Sequence, residues 1–434
     1  MKVNLRSSML AAMAFLALGL SGCVEDSCDL TYKHAVYEPI YMSQDEFVNS
    51  VGVVSPRNVV SPGKIYTKDA ILLVNELGEG VHIYDNKNPK NPQSLAFLNV
   101  PGNYDLSMNC DMLYLDSSTD MLVFDMSDPS SPRLVNRIEN AFPYMAEYRG
   151  YQADPSQGVI VKWKEEIRED KYDCQVGVPN LWQQNQVDNT WDVQSGSNNT
   201  RTVNPAVPGK SGSMSRFTVL NDYLYIVGPS ELDVYNVTSC DQPLAAGTQS
   251  LSGFFGVAEM ITSLDNLLLI GSTGGMSIYS ADDPTNPQYM STFEHNRACD
   301  PVTAENGIAY VTLRNSQDSP CGPFWNNQLD VVDISNPSYP RLLNTFSMYN
   351  PHGVGIDGDL LFIADGDQGL KIFDASTPSE VGRKELAHFP DMNGYDVIAL
   401  DGVLMFVGKD GIAQYDYSNP KDIQLLSTIM VYAE

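Results

Sequence analysis

Apolar and polar positions alternate in short runs along this chain, and one such run returns again and again. Each copy is an alternating segment that ends in an aromatic residue and an aspartate, then a turn rich in Pro and Asn, then a second alternating segment. It stands as Gly80-Val-His-Ile-Tyr-Asp85 before Pro89 and Pro92, and as Met121-Leu-Val-Phe-Asp125 before Pro129 and Pro132. Fainter copies are Leu232-Asp-Val-Tyr-Asn236 before Pro243 and Met276-Ser-Ile-Tyr-Ser280 before Pro284 and Pro287. Clear copies return as Leu329-Asp-Val-Val-Asp333, Leu370-Lys-Ile-Phe-Asp374 and Ile412-Ala-Gln-Tyr-Asp416, followed by Pro337, Pro378 and Pro420. A period of two belongs to strands, and Pro and Asn cannot continue a ladder, so each copy predicts strand, turn, strand. The Asp after the aromatic is expected to cap the turn by accepting backbone N–H bonds rather than to act in catalysis.

From the end of one copy to the next the steps are 40, 111, 44, 53, 41 and 42 residues, so the long step conceals a degenerate unit. Within it, Pro143–Tyr151 and Gly158–Glu166 read as paired strands, and about 170–213 reads as an inserted polar loop rich in Asn, Gln, Ser and Gly. In the clearest unit four strands are expected, His352–Ile356, Leu360–Ala364, Leu370–Asp374 and Val381–Leu386. Four short strands per repeat, with turns between them, describe a β-propeller blade. The expected fold is therefore all-β: a single propeller of eight four-stranded blades, one of them degenerate and carrying the long insertion. The alternative is seven blades plus an irregular hairpin.

The stretch Leu329-Asp-Val-Val-Asp-Ile-Ser-Asn-Pro-Ser-Tyr-Pro340 resembles the LVIVD repeat of bacterial surface and periplasmic lipoproteins, with similar copies from about Gly63 to Ile429. Tyr37-Glu-Pro-Ile-Tyr-Met-Ser-Gln-Asp-Glu-Phe47 resembles the leader of such proteins. Asn236 and Ser280 depart from the aromatic-Asp pattern. The resemblance implies a propeller with an envelope address, and it implies no activity.

The N-terminus agrees with that address. Lys2 and Arg6 precede an apolar run from Met9 to Leu20, which is too short to span a bilayer comfortably, and Leu20-Ser-Gly-Cys23 is similar to a lipobox. Residues 1–22 are expected to be a lipoprotein signal peptide, 23–56 a leader lipidated at Cys23, and 57–434 the propeller. Val24 stands where Asp commonly signals inner-membrane retention, so the expected location is the outer membrane, with its face left open. Export also makes disulfides possible for the six remaining cysteines. Cys299–Cys321 is the expected bridge, Cys174–Cys240 a second candidate, and free thiols the expectation for the rest.

Composition narrows the chemistry. With 26 basic and 54 acidic residues the net charge is −28, which repels nucleic-acid backbones, so no nucleic-acid partner is expected. The chain has no sialidase Asp box, nucleophile elbow, H-E-x-x-H or P-loop, four Trp are too few for quinoprotein docking motifs, and the five histidines are scattered. Aligning the starts of the first strands brings together Asp105, Arg216, Glu259, Asp300, His352 and Asp396 as a candidate ring at the channel mouth. Carboxylates converging there repel unless a cation intervenes. Asp105, Glu259, Asp300 and Asp396 are thus candidate Ca²⁺ ligands, and the other reading is a ring of polar groups that bind ordered water and close the blades. Asp365-Gly-Asp367 reads as a plain turn. The functional expectation is a membrane-anchored, non-catalytic binding or scaffold propeller with an envelope protein or extracellular ligand as partner. The alternative is a hydrolase or lyase of an extracellular polymer, working through channel-mouth carboxylates with His352 or Arg216.

Overall fold

A computed structural model of the chain describes residues 29–142, 147–148, 151–173, 210–212, 215–251, 257–295, 301–314, 327–408 and 411–432. The chain divides into two units, residues 1–38 with 165–191 and residues 39–164 with 192–434. In the smaller unit the described residues are extended strand, and Arg168 pairs with Glu38 at 2.5 Å. The larger unit is a β-propeller of seven four-stranded antiparallel blades.

Blade 1 runs from Pro62 to Asn99, blade 2 from Leu106 to Ile138, blade 3 from Phe217 to Ser250 and blade 4 from Ala258 to Glu294. Blade 5 spans Val302–Ser347, blade 6 Val354–Phe389 and blade 7 Gly394–Met430. In every blade the strands pair in sequence order, and first strands of successive blades lie beside one another. The hairpins joining first to second strands turn at a residue with positive φ. These residues are Asp69, Cys110, Asn221, Asp265, Asn306, Gly358 and Asp401, with φ from 50 to 56°. That conformation suits the two-residue turns whose twist matches the flanking strands.

The repeated Asp does what its position suggests. Asp85, Asp125, Asp333, Asp374 and Asp416 each accept the backbone N–H two residues on, at 2.8–3.1 Å. Asn236 and Ser280 make the same bond at 2.9 and 3.1 Å, so the two degenerate copies preserve the cap while losing the carboxylate. Just after each turn, the outer strand carries a bulge, which skips Leu95, Val135, Ala246, Met290, Leu343, Leu386 and Leu426. A bulge increases local twist, and its recurrence gives all seven sheets the same curvature.

Each blade buries both faces against neighbours. Between blades 2 and 3, for example, Tyr114, Met121 and Val123 pack on Phe217, Val219, Leu224 and Ile226. Outer-strand side chains also reach the turn of the following blade. Gln249 donates to Pro287 O, Ser291 to Pro337 O, Asn344 to Ser379 O and Ser427 to Pro89 O, at 2.6–3.0 Å. The ring closes between blades 7 and 1 without strand exchange. A parallel bridge joins Val59 to Val431, the Asn86 and Gln414 amides bond reciprocally at 2.8 Å, and Ile65, Leu72 and Val74 pack on Ile398, Met405 and Ile412.

Three expectations are corrected. The blade count is seven, not eight, because blades 2 and 3 close directly on each other's apolar faces and leave no place for another sheet. The segment expected to form the degenerate blade instead gives a short hairpin, Glu147–Tyr148 with Tyr151–Gln152, while Val159–Asp173 pairs with the leader strand Asp29–Met42. In blade 6, Pro378–Arg383 forms a 3₁₀ turn with Val381 buried, so the outer strand is Glu385–Phe389 rather than Val381–Leu386. The leader also ends in an unforeseen short helix, Gln44–Asn49, where Ser43 caps Glu46 N and buried Phe47 lies under the Arg137 guanidinium at 5.1 Å.

A disulfide joins Cys110, in the first hairpin of blade 2, to Cys240, in the third turn of blade 3. The Cys174–Cys240 pairing and the free-thiol reading of Cys110 are thereby replaced, since the direct contact of blades 2 and 3 brings these two turns together. Cys299, Cys321 and Cys174 lie outside the described residues. The bridge spans 130 residues of sequence, including the whole insertion, so it holds together the two blades that the sequence separates most. Replacing both Cys110 and Cys240 by Ser is expected to lower unfolding free energy in urea by about 2–4 kcal/mol, and non-reducing peptide mapping should recover the 110–240 pair from the native protein.

Candidate functional site

The first strands begin at one end of the channel, and there the second strands of several blades end in a carboxylate. These acids hold the connections that enter the first strands. Glu76 accepts from Val60 N at 3.1 Å and from Ser61 N, and its Oε2 meets the buried His82 Nε2 at 2.8 Å. Asp116 Oδ1 accepts from Asn103 Nδ2, Tyr104 N and Asp105 N at 2.7–2.9 Å. Asp365 accepts from Tyr349 N and Asn350 N and pairs with Lys371 Nζ at 2.6 Å. Asp365 is thus a buried anchor, more than the surface turn its Gly-rich neighbourhood suggests.

Environment sets opposite protonation for two of these acids. Burial raises the Glu76 pKa, but His82 and the Val60 and Ser61 N–H groups outweigh it, and the carboxyl lies below its ordinary value of 4.5. Asp116 is fully buried, and burial, aided by the Asp105 charge, pushes it up to about 7.

The inner ring can be followed from blade to blade. Buried Asp105, on blade 2, accepts from Lys64 Nζ of blade 1, from Ser215 Oγ at 3.1 Å and from Arg216 N at 2.6 Å. Ser215 O in turn accepts from Ile261 N of blade 4 at 2.7 Å, just past Glu259, which occupies a bulge in that strand. Glu259 acts electrostatically on Arg314, at the end of the second strand of blade 5, and Arg314 on His352 of blade 6. Thr312 Oγ1 donates to His352 O at 2.8 Å, and Gly353 N donates to Tyr395 O of blade 7 at 3.1 Å. Beside it, buried Asp396 accepts from Val397 N at 2.9 Å.

The chain also threads this space. Lys210–Ser211 pairs antiparallel with Tyr66–Thr67, adding a strand to the inner edge of blade 1 and correcting the expectation of a loop through residue 213. Gly212 N then donates to Ile65 O at 3.2 Å, and a Cβ at Gly212 would sit 1.8 Å from Asp396 Oδ2. The close approach demands glycine there.

Of the six ring residues read from the sequence, Asp105, Arg216, Glu259, His352 and Asp396 do begin first strands at one channel end, and Asp300 lies outside the described residues. Asp105 takes its counter-charge from Lys64, and among the described residues no three His, Cys, Asp or Glu side chains come together as a metal-holding group. The sequence reading passed over Lys64, Arg314, Gly212, Glu76 and Asp116, and took Asp365 for part of a plain turn. Lys64 was open to the same alignment, since it too stands at the start of a first strand. The acids follow apolar runs as Asn75-Glu76, Leu115-Asp116 and Ala364-Asp365, a repeat visible once the second strands are aligned.

Two measurements test this arrangement. Lys64→Met leaves Asp105 buried without its cation and is expected to cost about 3–5 kcal/mol in chemical unfolding. Asp116 holds, when folded, a proton that the unfolded chain releases near 3.8, so it makes stability fall as pH rises from there toward 7. Glu76 has the opposite sign: its depressed pKa gives stability above 4.5 that is lost as pH falls. In melts across pH, Asp116→Asn is expected to flatten the decline toward neutrality, and Glu76→Gln to flatten the loss at acid pH.

Comparison with known proteins agrees with the repeat architecture. The LVIVD repeat profile matches residues 112–139, 323–347 and 351–385, which fall in blades 2, 5 and 6. No curated protein sequence matches the chain. Similar solved structures include the computationally designed Ika8 protein, at 10% identity over 87% of this chain and 86% of that one with a TM-score of 0.49. BamB from Moraxella catarrhalis is 9% identical over 87% of this chain and 97% of its own, with a TM-score of 0.45. The periplasmic gluconolactonase PpgL of Pseudomonas aeruginosa is 13% identical over 78% and 85%, with a TM-score of 0.48. The chain is a β-propeller of seven four-stranded blades in which LVIVD repeats are detected in blades 2, 5 and 6.

Proposed function

We propose that this protein is a lipid-anchored envelope propeller that binds a partner at the channel end without transforming it. The observation that carries the reading is the use made of the channel-end acids. Glu76, Asp105, Asp116 and Asp365 each accept backbone N–H groups from the connection entering a first strand. A general acid or base must exchange protons with substrate during turnover, and a carboxylate committed to holding the backbone is poorly suited to that work. A rigid ring of this kind is suited to presenting loops and a fixed charge pattern. The alternative hydrolase or lyase reading needs a free carboxylate beside His352 or Arg216.

The address rests on Met1–Cys23, which lie outside the described residues. No helix among the described residues is long and apolar enough to cross a membrane. A lipid on Cys23 would tie the propeller to the outer membrane, since each buried CH₂ adds about 0.8 kcal/mol. Labelling with a clickable palmitate analogue is expected to tag the native protein and to miss Cys23→Ser. Crosslinking with mass spectrometry in the native envelope is expected to recover one stoichiometric partner on residues that flank the first strands. Turnover of a glycan or peptide library that disappears in Asp396→Asn would replace this reading by the catalytic one.

A further inference from the structure

The channel end holds several cations, and most of them pair with a carboxylate, although Arg137 keeps its Nη2 buried without a hydrogen-bond partner. Lys64 pairs with Asp105, Lys371 with Asp365, and Arg137 with Asp120 at 3.2 Å. Arg314 is different. Its Nε is buried with no hydrogen-bond partner, and its guanidinium forms no ion pair among the described residues. Glu259 acts on it electrostatically. Arg314 is half-buried, and a guanidinium partly removed from water without an ion pair is open to an anion from outside.

The surroundings say which ion. His352 stands beside Arg314, and burial together with the Arg314 charge brings its pKa down to about 4, so the imidazole is neutral at physiological pH. Its ring makes no hydrogen bond among the described residues, and its backbone is held on both sides by Thr312 Oγ1 and Ala364 O. A neutral imidazole can donate one N–H to an anion. Glu259 acts on Arg314 and Asp365 and Asp367 on His352, and with a net charge of −28 on the chain these acids oppose a second negative charge on the ligand. They favour a monoanion over phosphate, and the planar guanidinium fork matches a carboxylate with two parallel bonds.

We propose that the channel end binds an organic carboxylate between Arg314, its counter-ion, and His352, a neutral donor. This deepens the binding reading above and rests on it. The ligand is a single carboxylate group, whether of a free small acid or of a peptide C-terminus.

Thermal melts of the full mature protein with matched probe pairs test it, at constant ionic strength: acetate against acetamide, N-acetylglycine against its amide, and Ala-Ala-Ala against its C-terminal amide. The acid of at least one pair is expected to raise Tm by several degrees, its amide to leave Tm unchanged, and inorganic phosphate to act less than the best acid. A response to the small acids points to a free metabolite, and one confined to the tripeptide points to a protein C-terminus. Arg314→Gln is expected to abolish the response while raising the Tm of the unliganded protein by about 1–2 °C, because it removes the uncompensated charge. Arg314→Lys keeps the charge without the fork and is expected to retain a reduced response. Equal effects of acid and amide, an undiminished response in Arg314→Gln, or a lower Tm in that variant would overturn the carboxylate site. Recovery of the same crosslinked partner by wild type and Arg314→Gln would sink this proposal while leaving the binding function intact.

Discussion

A four-stranded sheet whose two faces are both apolar cannot stand alone in water, and each blade of this protein is such a sheet. In the second strand of blade 3, Leu224 and Ile226 face blade 2 while Tyr223, Tyr225 and Val227 face blade 4, so covering one face always demands a further blade. The demand ends only when the ring closes, as Ile65 and Val74 of blade 1 meet Ile398 and Ile412 of blade 7. Hydrophobic burial scales with the apolar area removed from water, so an open ring would leave two large faces unpaid. The polar contacts serve this closure, with outer-strand Gln249, Ser291, Asn344 and Ser427 reaching the next blade's turn.

Closure creates a second constraint at the channel end, where connections pass from outer strands to first strands and bring unpaired backbone N–H groups into a buried place. Buried N–H groups require partners. Glu76, Asp116 and Asp365 supply them; Glu76 has His82 and Asp365 has Lys371 as partner, while burial raises the pKa of Asp116 to about 7. The acid-rich channel end is thus first a device for joining blades.

The insertion between blades 2 and 3 follows the same logic. It lengthens the sequence between two sheets without lengthening the ring, because their apolar faces still meet and Cys110 still reaches Cys240. It returns through the channel side, where Lys210–Ser211 joins blade 1 and Gly212 passes against Asp396. A single segment thereby touches blades 1 and 7 and then begins blade 3, tying the far parts of the ring to one another.

Strand type, turn position and the capping role of Asp85, Asp125, Asp333, Asp374 and Asp416 follow from residues within a few positions of one another, and the sequence by itself determined them. The period of two selects strand, Pro and Asn end it, and an Asp or Asn side chain reaches the N–H two residues on, so no distant partner enters. The placement of Asp105, Arg216, Glu259, His352 and Asp396 at or beside first-strand starts was also legible, because equivalent strands of successive repeats begin at the same end of the channel. What depended on partners far apart in sequence was decided only by the tertiary structure. Tyr151–Gln152 and Val159–Asp173 have strand patterns that a blade could use, but a pattern does not name its neighbour, and the neighbours are Glu147–Tyr148 and the leader. Likewise the pairing of Lys64 with Asp105 and the Cys110–Cys240 bridge arise where blades meet. Those meetings are set by which apolar faces close on which, and that closure is a property of the whole ring.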